Sequence, residues 1–122
     1  MEISRKSGVL ALLLLASPLA FSHHSAAGID QKGSVTVTGT VKEFQWGNPH
    51  SWIELDVVNA KGEAEVWNFE MNPPVYLVKG GFTRSSLKPG DKVAVTAKPF
   101  IDKRPGGIFV SVVLPDGKVL GK

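Results

Sequence analysis

Phe44-Gln45-Trp46-Gly47-Asn48-Pro49-His50-Ser51-Trp52 joins two runs of residues that alternate apolar and polar in the manner of β-strands. Pro49 removes a backbone donor and biases Asn48 away from helix, so the stretch is a stiff connection between strands and not one continuous strand. After it, Ile53, Leu55 and Val57 share one face of a strand, while His50, Trp52, Glu54 and Asp56 share the other. The apolar face goes to a core. That leaves a histidine and an indole side by side on the outer face, together with a second indole, Trp46, and the turn residue Asn48, whose side chain is expected to hold the loop by bonding backbone groups.

Upstream, Val35, Val37, Gly39 and Val41 alternate with Thr36, Thr38, Thr40 and Lys42, a β-branched period of two. This first strand is long, and Gly39 in its middle predicts a bulge or a sharp coil by which one strand serves both halves of a small barrel. Downstream, the second strand over 51–58 ends at the turn residues Asn59 to Gly62, and a third runs over 63–71. Ala64 and Val66 lie on one parity of the third strand and Trp67, Phe69 and Met71 on the other, which predicts a bulge near Val66. Asn72-Pro73-Pro74 changes the period, with Asn72 as the expected cap and Pro73 as the first residue of a short helix whose apolar face is Val75, Leu77 and Val78.

Leu87-Lys88-Pro89-Gly90-Asp91 is a turn that launches Val93, Val95 and Ala97. A fifth strand holds Ile108, Val110, Val112 and Leu114, and Pro115-Asp116-Gly117 folds back a short tail. The expected fold is therefore all-β, a five-stranded OB-like Greek-key barrel over 34–122 with one short helix between the third and fourth strands. A β-sandwich of the same strands is the alternative. The expected core is Val37, Val41, Ile53, Leu55, Val93, Val95, Val110 and Val112. Phe44, Trp46, Trp67, Phe69 and Phe109 read as core or rim packing, since a barrel of this size needs bulky residues.

The N-terminus bears on compartment. Arg5 and Lys6 precede an apolar run broken by Pro18, and Ala20-Phe21-Ser22 offers small residues at the positions a signal peptidase requires. Residues 1–22 read as a cleaved secretory signal, too short in its apolar part to span a bilayer, and 23–33 as an N-terminal segment before the barrel. The 122-residue chain has no cysteine, so disulfides and a lipoprotein anchor are excluded, and a bacterial periplasm suits the product. A formal net charge of +3 with scattered lysines gives no stripe that would track phosphates, so nucleic acid is not an expected partner.

Three histidines fall in two places, the new N-terminus (His23, His24) and the loop (His50). A terminal His23 chelates an ion through its α-amine and ring Nδ1, and His50 would add a third nitrogen. Such a donor set favours copper. Cleavage after Ala20 instead would place His23 third, which is also a chelating arrangement. His23, His24 and His50 are thus the candidate metal ligands, and Trp46, Asn48 and Trp52 the candidate binding residues around them. Glu54, Asp56, Glu63 and Glu65 are positioned to face one another across the hairpin as a solvated acidic face. Ser25 and Ser51 lack a third triad member and an oxyanion hole, which leaves an enzyme as the least supported class. The two other classes are a copper-handling module and a barrel that binds a protein, peptide or glycan around Trp52.

His23-His24-Ser25, Asp30, the Val37-x-Gly39-x-Val41 strand, Trp46-x-Asn48-Pro49-His50-Ser51, Trp67, Leu87-x-Pro89-Gly90-Asp91-x-Val93 and Asp116-Gly117 together resemble a family of small secreted proteobacterial proteins known as a domain of unknown function. The resemblance spans nearly the whole mature chain and implies no activity. It departs from the family at Ala26 and Ala27, where an aromatic follows the leading His-His-Ser. In architecture alone the chain is similar to periplasmic OB-barrel copper and silver chaperones. Those bind Cu(I) with one His, two Met and a capping Trp, a set this chain lacks because Met71 is its one methionine after the signal.

Overall fold

The structure, a computed structural model, describes residues 26–121. Within them the period-two segments form strands β1 (Val35–Gln45), β2 (Ser51–Val58), β3 (Ala64–Met71), β4 (Lys92–Pro99), β5 (Gly106–Val113) and β6 (Val119–Gly121). A one-turn helix, α1 (Pro74–Leu77), continues into a 3-10 turn at Val78–Gly80 between β3 and β4. The sheet order is β3-β2-β1-β4-β5-β6, and a parallel pairing of β3 with β5 closes the first five strands into a barrel. This is the OB arrangement expected from the sequence. The short tail adds a sixth strand, in which Val119, Leu120 and Gly121 pair with Val113, Val112 and Ser111.

Strand β1 does serve both halves. Val35 to Thr40 pair with β4, Thr40 to Gln45 pair with β2, and Thr40 is shared. The bulge is not at Gly39, however. The register slips between Val41 and Glu43, so Lys42 is the extra residue. Gly39 has a different role, because a Cβ there would stand 2.7 Å from the Asp56 carbonyl oxygen and 3.0 Å from Val57 Cγ2. Glycine lets β2 cross close to β1 where the strand passes from one half to the other.

Seven of the eight expected core residues are buried, with Ile53, Leu55, Val95 and Val112 fully so. Val57, Phe69, Met71, Leu77, Phe82, Leu87, Ala97 and Leu120 complete the cluster. Val110 is the exception and is only half-buried. Ser111 pairs with Thr96 and Phe109 with Ala97, so Val110 is an extra residue in β5 and the parity reverses there. Phe109 then packs against the core in place of Val110.

Two further local expectations are corrected. Strand β3 has no bulge: eight consecutive pairs run from Ala64–Val58 to Met71–Ser51, and Val66 simply lies on the outer face, 38% exposed. At α1 the N-cap is Pro73 and the first helical residue Pro74, with no side-chain cap bond, so Asn72 does not cap. Only Leu77 turns inward, while Val75 and Val78 are exposed, because one turn brings a single residue to the barrel.

The described part of the N-terminal segment is tied to the barrel. A 3-10 turn at Ala26–Gly28 leads to a bridge between Ile29 and Phe100, the Asp30 N–H donates to the Pro99 carbonyl at 2.9 Å, and the Ile101 N–H donates to the Gly28 carbonyl at 3.0 Å. The signal sequence and His23, His24 and Ser25 lie outside the described residues. Among the described residues no helix is long and apolar enough to cross a membrane.

Candidate functional site

The loop between β1 and β2 folds around Ser51. This side chain is fully buried, accepts the Gly47 N–H at 3.2 Å and donates to the Gly47 carbonyl at 3.3 Å. One hydroxyl thus satisfies both backbone groups of the residue four positions back, and the Asn48-Pro49 peptide between them is cis. Asn48, the residue expected to hold the loop, is exposed and makes no side-chain hydrogen bond among the described residues. Its amide is therefore free to meet a ligand, and the structural role belongs to Ser51. Ser51→Ala is expected to cost about 1–3 kcal/mol by stranding Gly47, against a negligible loss for Asn48→Ala. Denaturant unfolding of the two variants, with amide exchange at Gly47, checks this; equal stability of the two would return the role to Asn48.

His50 leaves this loop half-buried, and its Nδ1 meets Glu70 Oε1 on the neighbouring strand. The meeting follows from register, since Trp52 pairs with Glu70 and Ser51 with Met71, so Glu70 shares the outer face with Trp52 and His50. Trp52 is flanked by Gln45 of β1 and Glu70 of β3. Trp46 packs edge-on against Phe44, ring centroids 5.8 Å apart, and touches the core from the rim. A cleft of about 330 Å³ runs between Trp46, Asn48, Pro49, His50, Trp52 and Glu70. Behind the His50–Glu70 pair a second hollow, about 190 Å³, is walled by Met71, Asn72, Ile108 and Phe109.

Trp46, Asn48, His50 and Trp52 thus line one cleft. His23 and His24 fall outside the described residues. Among the described residues no three His, Asp or Glu side chains stand together in a way that would hold a metal ion. The expected facing of carboxylates across the hairpin does not occur. Glu54 is opposite Asn68, Asp56 opposite Val66, and Glu65 lies opposite Val57, where it accepts the Trp67 indole N–H at 3.1 Å. The directly opposed carboxylates are Glu43 and Glu54, with Lys42 at 3.6 Å from Glu54.

Glu70 is the residue that sequence reasoning missed. Its place is set by the hairpin register, where Asn59 and Glu63 close the turn through a 2.9 Å backbone bond. Counting outward from that pair places Glu70 beside Trp52.

A search of curated proteins returns no match. Among solved structures the chain is similar to Rim1, the mitochondrial single-stranded DNA-binding protein of S. cerevisiae. The two share 12% identity at a TM-score of 0.50 over 67% of this chain and 92% of Rim1. At that identity the likeness shows the barrel fold alone. The sequence profile of one family matches residues 11–109, which include both β1 and the whole of the cleft. The chain belongs to that family, the family of unknown function DUF6152.

Proposed function

We propose that the protein is a secreted, periplasmic copper-binding module. In this reading His23, as the mature N-terminus, supplies its α-amine and ring nitrogen, and His50 supplies a second imidazole. The observation that carries the reading is the placement of His50, on a loop closed by the buried Ser51 and at the mouth of a cleft rimmed by Trp46 and Trp52. A histidine held so firmly at a cleft is pre-organised for a ligand, whereas a histidine that only capped a turn would need no cleft. Amine and imidazole nitrogens favour copper over the other divalent first-row metals.

Charge supports a cation and opposes a polyanion. The outer face of β1, β2 and β3 carries Glu43, Glu54, Asp56 and Glu70 against Lys42. A nucleic-acid backbone brought to this face meets carboxylates where an electrostatic binder needs lysine and arginine. The indole of Trp52 favours a second reading, a barrel that takes a periplasmic protein, peptide or glycan without metal.

Cu(II) titration of protein that begins at His23 tests the proposal. One ion is expected to bind, more weakly when an extra residue precedes His23, because the added residue moves the amine out of chelating reach of Nδ1. His50→Ala is expected to weaken binding further and to alter the copper absorption spectrum. If His50→Ala matches the parent in affinity and spectrum, the N-terminal tail alone binds the ion and the proposal is wrong. Trp52→Ala separates the second reading, since it spares copper affinity while removing the platform for an organic ligand.

A further inference from the structure

We infer that Glu70 is the positioning residue of His50, fixing which ring nitrogen faces the cleft. The contact joins His50 Nδ1 and Glu70 Oε1. Two lone pairs do not face each other at contact distance, so a proton lies between them, and the imidazole N–H is the donor to the carboxylate. In the neutral ring the lone pair is then on Nε2. That is the nitrogen a metal ion or a hydrogen-bond donor would engage, and it is the reverse of the tautomer that free histidine prefers in water. A carboxylate on the far ring nitrogen is the arrangement by which proteins orient and strengthen a ligating imidazole.

Glu70 is unusually well placed to impose this. It lies on the seam that closes the barrel, paired with Trp52 of β2 on one side and Ile108 of β5 on the other. Its backbone is therefore fixed from both flanks, and its side chain is only 14% exposed. A carboxylate so little exposed meets little competing bulk water, which strengthens the pair. Two other acidic groups of this face are engaged differently: Glu54 with Lys42, and Glu43 opposite Glu54. The pair also stands between the two hollows described above, so its geometry shapes the wall of each.

The inference rests on the copper reading only for the identity of the ligand, because the tautomer is a property of the metal-free protein. Two-bond proton–nitrogen correlation spectra of the His50 ring, recorded where imidazole is neutral, are expected to show the proton on Nδ1. Glu70→Ala is expected to move it toward Nε2 and to weaken Cu(II) binding about 10–100-fold. Glu70→Gln retains an oxygen that accepts the same N–H, so it is expected to keep the tautomer and recover part of the affinity. A parent spectrum with the proton on Nε2 overturns the assignment, as does a Glu70→Ala spectrum identical to the parent's. Should the tautomer behave as stated while no form binds copper, Glu70 keeps its role and the copper proposal falls.

Discussion

Truncation of Ile53 to alanine is expected to destabilise the barrel by about 2–5 kcal/mol, while Lys61→Ala leaves stability within about 0.5 kcal/mol of the parent. Ile53 is fully buried in β2 and stands in register with Phe44 of β1 and Phe69 of β3. Shortening it opens a void bordered by two aromatic rings that their own strands hold in place, so the site has little room to collapse. Lys61 is exposed in the hairpin turn, where its backbone N–H, which alanine retains, donates to Asn59 Oδ1 at 2.9 Å. A domain of this size is stable by roughly 5–15 kcal/mol, so the loss at Ile53 is a large fraction of the whole. It corresponds to a fall in Tm of at least roughly 8 °C. Urea unfolding with an unchanged m-value would place the effect in the native state. Equal Tm shifts for Ile53→Ala and Lys61→Ala would mean that the two faces of β2 are assigned the wrong way round.

What was legible in the sequence depended on how strictly the residues alternate. In β2, Ser51 to Val58 keep one parity without interruption, and the strand limits and its two faces follow directly. In β5 the run Val110-Ser111-Val112-Val113-Leu114 places apolar residues on both parities, and period alone does not reveal that Val110 is the inserted residue. The pairing with β4 decides it, and that pairing is a tertiary fact. Val66 shows the opposite case, a β-branched residue that suits an outer face as well as a core, so the bulge that would have buried it is not needed. At the site, Trp46, Asn48, His50 and Trp52 were legible because they lie within one loop and its flanks. Glu70 was not, since it is brought in by strand register across a hairpin. The bonding of the loop was also misplaced, because Asn is the commoner residue for closing turns, while a serine at the start of a strand does the work from inside the barrel.

The seam that holds Glu70 depends on a glycine, and Gly106→Ala is expected to cost on the order of 4 kcal/mol. Gly106 has φ of 136°, and a Cβ placed on it would stand 2.3 Å from the Asn68 carbonyl oxygen and 3.0 Å from the Phe100 ring. Asn68 is the register partner of Gly106 in the parallel pairing that closes the barrel, so the methyl group strikes the neighbouring backbone and not a movable side chain. Relief requires β3 and β5 to separate. Gly62→Ala provides the control, because Gly62 also has positive φ, at 79°, but nothing lies within 4 Å of its would-be Cβ. That variant should lose only the conformational part, about 1–2 kcal/mol. The difference between the two isolates the close approach of the strands. Opening should also be local before it is global: amide exchange is expected to quicken first across 68–70 and 106–108, and the His50–Glu70 pair should loosen with it, since Glu70 pairs with Ile108 two residues along the same seam. Equal losses in Gly106→Ala and Gly62→Ala, with exchange at the seam unchanged, would show that β3 and β5 tolerate a side chain between them and that the barrel does not rely on this contact for its closure.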